Sequence, residues 1–89
     1  MKRNVNGSVI RAHMLNLLQR RGYWGENYFP IDEVIHQGIR FFGNGKIIRD
    51  EINSLVEHGD FILHKGGNTV SLNPKKSKEI GEFLHKMGY

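Results

Sequence analysis

Three polar side chains, Lys46, Arg49 and Asn53, recur at intervals of three and four residues, so a helix would bring Lys46 and Asn53 to one face and Arg49 to its flank. An arginine guanidinium can pair with both acceptors on a guanine edge, and an asparagine amide can pair in the same way with adenine. A lysine near the start of such a helix can contact a phosphate. The alternative is the solvated face of an ordinary surface helix, which Asp50 and Glu57 favour because carboxylates repel phosphates.

Other basic residues are candidates for phosphate contacts around such a helix. Lys65 belongs to the segment His64–Asn68, where two glycines would let a nucleic-acid backbone approach closely. The remaining candidates lie towards the two ends of the chain: Arg20, Arg21, Lys75 and Lys76, together with Lys2, Arg3, Arg11 and Lys78. Phosphate contacts add affinity and salt dependence without sequence information. The alternative is that these side chains only keep a small domain soluble.

The residue pattern gives no support for catalysis or for metal binding. No two of the five histidines are four residues apart, and the chain has no cysteine to complete a zinc site. The run Gly43–Lys46 lacks the glycine spacing of a phosphate-binding loop. The acidic pairs Asp32–Glu33 and Asp50–Glu51 are adjacent, so their carboxylates point to different sides of a helix. We therefore expect a protein that is not an enzyme and holds no metal or cofactor.

Composition and charge indicate one small soluble domain. The chain has 89 residues, of which 38% are hydrophobic and 25% are charged. Its formal charge of +4 is uneven, because residues 1–21 carry five basic and no acidic side chains, whereas residues 22–72 carry four basic and seven acidic ones. A basic balance mildly favours a polyanionic partner. No apolar run can span a membrane, and Met1–Arg3 leads into no signal-peptide core, which predicts a cytoplasmic protein without membrane contact.

Apolar periodicity and helix-end signals predict four helices, at residues 8–21, 31–37, 45–58 and 75–87. Ser8 is the expected N-cap of the first helix and Asn44 that of the third. The third helix has the clearest buried stripe: Ile48, Ile52, Leu55 and Val56. The last helix has a stripe of its own, which either folds back on the core or pairs with a second copy: Ile80, Phe83, Leu84 and Met87.

Residues 61–72 are expected to form a β-hairpin with a two-residue turn at Gly66–Gly67. In that register Leu63 faces Val70 and Phe61 faces Leu72, so these four side chains share one face and pack on the helices. His64 and Thr69 then lie on the outer face.

Two stretches of the sequence resemble the winged helix-turn-helix superfamily. Ile48–Ile62 looks like a recognition helix that ends in a Leu-x-x-x-Gly step, and Val70–Pro74 with its following helix is similar to the wing exit and dimerisation helix of small prokaryotic, archaeal and phage regulators. The resemblance implies an α+β fold with a three-helix core, a two-stranded β-hairpin wing and an additional C-terminal helix. It also implies double-stranded DNA binding, transcription regulation and a homodimer. The expected loop from Gly38 to Asn44 is longer than the family's tight turn.

Two other functions stay open at this point. The first is a winged-helix module that binds a protein partner through the aromatic segment and the acidic part of the third helix, which the excess of acidic residues in the middle of the chain favours. The second is an RNA or single-strand binder that stacks bases on Trp24 and Tyr28. Aromatic side chains in a small domain more often close its core, so we expect Tyr23–Phe29 and Phe41–Phe42 to pack internally.

Overall fold

The computed structural model describes residues 6–89, which form an α+β domain of four helices and a three-stranded antiparallel sheet. The elements are, in chain order, α1 (Gly7–Arg20), β1 (Phe29–Pro30), α2 (Ile31–Phe42), α3 (Gly45–Glu57), β2 (Phe61–His64), β3 (Thr69–Leu72) and α4 (Ser77–Lys86). Short 3₁₀ turns occupy Lys65–Gly67 and Pro74–Lys76. Within residues 6–89, no helix has both the length and the apolar character needed to cross a membrane.

α1 lies at the centre of the domain, because it contacts the other three helices and β3. Its buried residues therefore extend around more than one face: Ile10, Ala12, Met14, Leu15, Leu17 and Leu18. The predicted N-cap at Ser8 is wrong. Asn6 caps the helix instead, and its Oδ1 accepts hydrogen bonds from the backbone N–H of Ser8 at 2.8 Å and of Val9 at 3.3 Å. Asparagine and serine cap equally well, so the sequence alone did not favour the upstream residue.

α2 continues five residues beyond its predicted end at residue 37, and the predicted loop from Gly38 to Asn44 is wrong. Gly38 is a buried helical residue. A Cβ at this position would lie 2.9 Å from Cγ2 of Ile48, so glycine permits the close contact between α2 and α3. The helix ends at Gly43, whose φ of +75° is accessible to glycine, and only Gly43 and Asn44 separate α2 from α3.

α3 agrees with the prediction to within one residue. Asn44 caps it as expected, accepting hydrogen bonds from the N–H of Lys46 at 3.0 Å and of Ile47 at 3.2 Å. The predicted stripe faces the core, since Ile48, Ile52 and Leu55 are buried and Val56 is half-buried against them.

The predicted hairpin register is confirmed, because Phe61 pairs with Leu72 and Leu63 pairs with Val70. Two details differ. Residues 65–68 form the connection instead of a two-residue turn, and Leu63 is 41% exposed although its three predicted companions are buried. β1 adds a third strand, which pairs with the other edge of β3 and gives the order β1-β3-β2. The expectation of two strands missed β1, because two residues ending in proline give no strand signal.

α4 begins at Ser77 instead of residue 75, because Pro74 starts a 3₁₀ turn that Asn73 caps through a 3.0 Å bond from the N–H of Lys75. The apolar stripe of α4 packs on the core of its own chain. Ile80 and Leu84 are buried there, and Phe83 and Met87 are half-buried against it. A second copy of the chain could therefore contact only the exposed face of α4, and the side chains on this face are polar.

Candidate nucleic-acid interface

The face of α3 opposite its buried stripe is exposed along its whole length. It carries the three predicted base-reading and phosphate-binding residues and two acids: Lys46, Arg49, Asn53, Asp50 and Glu57. A helix of this diameter fits the DNA major groove.

Lys46 is not a free cation in this structure. Its Nζ lies 2.9 Å from Oδ2 of Asp50, one helical turn ahead, and both side chains are exposed. Exposed pairs of this kind are worth about 0.2–1 kcal/mol, so a phosphate can replace the carboxylate at small cost. Lys46 is therefore available for a phosphate contact, although Asp50 reduces the positive potential there.

Arg49 and Asn53 differ in how they are held. The Arg49 guanidinium folds back along α3, and its Nη1 lies 2.9 Å from the place a Cβ on Gly45 would occupy. Glycine at position 45 therefore leaves room for this arginine beside Ile39. Among the residues that the structure describes, none forms a hydrogen bond with the Asn53 amide, which leaves its donor and acceptor open to a base edge.

The tip of the β2–β3 hairpin carries a group of one cation and two aromatic rings. Lys65 is exposed with a φ of +51°, and its Nζ lies 5.8 Å from the centroid of the Tyr28 ring. The rings of Tyr28 and His64 are in contact, with their centroids 3.9 Å apart and their planes tilted by 35°. The Tyr28 hydroxyl donates a 3.0 Å hydrogen bond to Glu26, which raises the pKa of Tyr28. The sequence predicted His64 and Lys65 at this tip but not Tyr28, which comes from the distant segment before β1.

His64 and Ser71 resemble a base and a nucleophile, but their hydrogen bonds exclude that role. The Ser71 hydroxyl is fully buried and donates a 2.8 Å bond to the carbonyl of Gly25. It therefore accepts a hydrogen from His64 Nε2, 2.9 Å away, and has no proton to give to this ring. The pair instead fixes the segment before β1 to the outer face of the sheet, where His64 and Thr69 are half-buried, not exposed.

The aromatic segment before β1 divides between core and surface. Tyr23 and Trp24 pack against the core, and the rings of Tyr23 and Phe29 lie 4.8 Å apart. The backbone of this segment also bonds to β3, since the N–H of Gly25 donates to the carbonyl of Leu72 at 2.9 Å. Packing therefore accounts for Tyr23, Trp24 and Phe29, as expected, and a single-strand stacking surface would have to rely on Tyr28.

The other predicted phosphate contacts are dispersed over the domain. Arg20 is exposed at the end of α1, and the Arg21 guanidinium lies 5.5 Å above the Phe29 ring, next to the β1 edge of the sheet. Lys75 is exposed on the 3₁₀ turn before α4, and Lys76 lies near Gly59 beyond the end of α3. The structure thus distributes these four cations between the sheet edge and the far end of α3.

Three further candidates, all from residues 1–21, have a different outcome. Arg11 is engaged inside the protein, because its Nη1 lies 2.6 Å from Oε1 of Glu51 and its Nη2 donates a 3.1 Å bond to the Ser8 hydroxyl. It is therefore a poor phosphate contact. Lys2 and Arg3 lie outside the described residues.

Sequence reasoning missed an exposed aromatic residue at the end of α2. Phe41 is 64% exposed, and its ring lies 4.3 Å from the ring of His13, while Phe42 is half-buried as expected. The prediction that Phe41 packs internally is therefore wrong. Extension of the helix through Val34, Gly38 and Phe42, at intervals of four residues, would have predicted the exposure of Phe41, because Phe41 falls outside that stripe.

The His13 ring beside Phe41 has a lowered pKa, because it is partly buried and, to a smaller extent, because of the charge of Arg20.

Comparisons with known proteins add no assignment. No protein-family model matches the chain, and neither curated proteins nor solved structures give a match.

Across residues 6–89, no three His, Asp or Glu side chains come close enough to hold a metal ion.

Proposed function

We propose that this chain binds double-stranded DNA as a small transcriptional regulator of the winged helix-turn-helix kind. In this proposal α3 enters the major groove, and the β2–β3 hairpin acts as a wing on the backbone or minor groove. The observation that carries it is the two-residue connection Gly43–Asn44, with α2 packed on α3 at Gly38. This connection supports a helix-turn-helix more strongly than the loop expected from the sequence did.

Within this proposal, Arg49 and Asn53 read base edges and Lys46 contacts a phosphate. Lys65 is the residue of the hairpin that contacts the DNA backbone in this proposal, because it is exposed at the hairpin tip and two glycines follow it. Arg20, Arg21, Lys75 and Lys76 are the outlying phosphate contacts. The homodimer remains a prediction, and a contact through α4 would have to use its polar side chains.

Selection of preferred sequences from a random duplex pool tests the reading role of α3. Arg49→Ala and Asn53→Ala should each relax the preference at one or two positions, because a bidentate contact discriminates by about 1–3 kcal/mol per base. Lys86→Gln, at the end of α4, is the matched control and should leave the preference unchanged. A double variant of Arg49 and Asn53 with the parent's preference at every position would refute base reading by α3.

One observation favours a protein partner as the second candidate. Phe41, Ile39 and Ile47 are all exposed, and they lie at the end of α2 and the start of α3. Exposed aromatic residues are frequent anchors of protein interfaces. If a protein is the partner, Phe41→Ser should weaken its binding and leave any DNA affinity unchanged, whereas Lys65→Gln should do the reverse.

A further inference from the structure

A cavity of about 380 Å³ lies between α1, α3 and α4. Its volume is within the range of small-molecule sites, roughly 300–1,000 Å³. Side chains from all three helices form apolar walls, including Leu15, Leu55 and Phe83. Leu15 and Leu55 are only 2% and 1% exposed, so the half-buried Phe83 ring is the apolar surface among these three that a ligand with an apolar body can reach.

Polar groups also line this cavity, and most of them already have partners. The Arg11 guanidinium binds Glu51 and Ser8, as described above. Nδ1 of His58 donates a 2.8 Å hydrogen bond to the backbone carbonyl of Ser54. The first of these contacts joins α1 to α3 and the second lies at the end of α3, which leaves two acids of the lining, Asp60 and Glu79, to be considered.

Of these two acids, Asp60 is the one that is half-buried. Among residues 6–89 its carboxylate accepts no hydrogen bond and has no cation within ion-pair distance. Burial raises its pKa, which the charges of Lys76, His58 and Arg11 oppose and that of Glu79 reinforces. Three of these four neighbours also line the cavity, so the carboxylate lies among the cavity's polar groups.

The charges around the cavity do not balance. Asp60, Glu79 and Glu51 are anionic, whereas Arg11 and Lys76 are cationic, so one negative charge is in excess when His58 is neutral. A partly desolvated carboxylate is stabilised by a cation that brings its own hydrogen-bond donors. A ligand with a single positive charge would neutralise the site.

We propose that this cavity binds a small organic cation, an amine whose ammonium group pairs with Asp60 and Glu79 and whose apolar body packs on the Phe83 ring. The binding does not depend on DNA. One consequence rests on the proposed function: a ligand in the cavity would alter the position of the last turn of α3, the candidate reading helix, because Leu55 and His58 line the cavity.

NMR titration of the amide resonances with three matched probes tests this site: phenethylammonium, the neutral phenethyl alcohol and the anionic hydrocinnamate. The amine should shift the amides of Leu15, Leu55 and Phe83 saturably at millimolar concentrations. It should bind at least about tenfold more tightly than the alcohol, as expected for a charge-assisted hydrogen bond. Hydrocinnamate should bind most weakly of the three.

Variants identify the group responsible. Asp60→Asn keeps the size of the side chain and should remove most of the amine's advantage, while Glu82→Gln, on the exposed side of α4, should keep it. Thermal unfolding verifies that each variant is folded. If Asp60→Asn does not fold, the comparison of the three probes on the parent protein still tests the proposal. Equal affinity for amine and alcohol, shifts that map away from the cavity, or no shifts at all would overturn the proposal. So would undiminished amine selectivity in folded Asp60→Asn.

Discussion

Substitution of Gly38 by alanine tests the contact between α2 and α3 that orients the candidate reading helix. Alanine is about 1 kcal/mol more favourable than glycine inside a helix, so the change would stabilise a helix with free space around it. Here the new Cβ would lie 2.9 Å from Cγ2 and 3.0 Å from Cδ1 of Ile48, a fully buried side chain. Overpacking of this kind costs about 1–3 kcal/mol. We therefore expect Gly38→Ala to lower the free energy of unfolding by about 1 kcal/mol.

Gly81→Ala in α4 is the matched control, because a Cβ there meets nothing within 4 Å. This variant should gain up to about 1 kcal/mol, so the two alanine variants should differ by about 2 kcal/mol. In a domain of this size the difference corresponds to about 10 °C or more in Tm. Thermal and urea unfolding followed by circular dichroism measure it. If both substitutions stabilise the protein equally, α2 does not pack on Ile48 through position 38 and the described connection to α3 is wrong.

Three further predictions concern the cap, the pH response and the ion pair. Asn44→Ala should cost about 1 kcal/mol of stability, whereas Asn44→Ser, which can still cap α3, should cost little, as measured by urea unfolding. Burial lowers the pKa of His13 below its ordinary value of 6.5, because it favours the neutral imidazole in the folded protein. The neutral imidazole therefore contributes its full stability above pH 6.5, and this contribution is lost as the pH falls below 6.5. Tm should therefore fall less between about pH 7 and pH 5 in His13→Gln than in the parent. A double-mutant cycle with Arg11→Met and Glu51→Gln should give a coupling of about 1 kcal/mol or more, and a coupling near zero would mean that the 2.6 Å pair does not stabilise the fold.

Local signals predicted the elements that have a continuous apolar stripe. α3 and the hairpin register follow from such stripes together with a cap and a turn, and both agree with the structure. The end of α2 was missed because a glycine in sequence normally indicates a helix end, whereas Gly38 is required by a neighbour in space, Ile48. β1 was missed because its pairing with β3 depends on residues forty positions away and not on its own composition.

The candidate site shows the same division. Helical periodicity placed Lys46 and Asn53 on the exposed face of α3 and Arg49 on its flank, and all three are exposed. The ion pair of Lys46 with Asp50 corresponds to an i, i+4 spacing in the sequence. The contact of Tyr28 with His64 at the hairpin tip and the cavity beside Asp60 depend on tertiary contacts between distant segments. No local pattern encodes such contacts, so these features required the structure.

The most direct test of DNA binding is the salt dependence of affinity, measured by fluorescence anisotropy with a mixed-sequence duplex and with a single strand. Each phosphate neutralised by a lysine or arginine contributes about −0.9 to the slope of log affinity against log salt. Contacts by Lys46, Lys65 and two or more of the outlying cations predict a slope near −4 between about 50 and 200 mM salt, with the duplex preferred. Lys65→Gln should reduce the slope by about 1, and Lys86→Gln should leave it unchanged. Absence of duplex binding at about 50 mM salt, or a slope near zero, would contradict the proposed function.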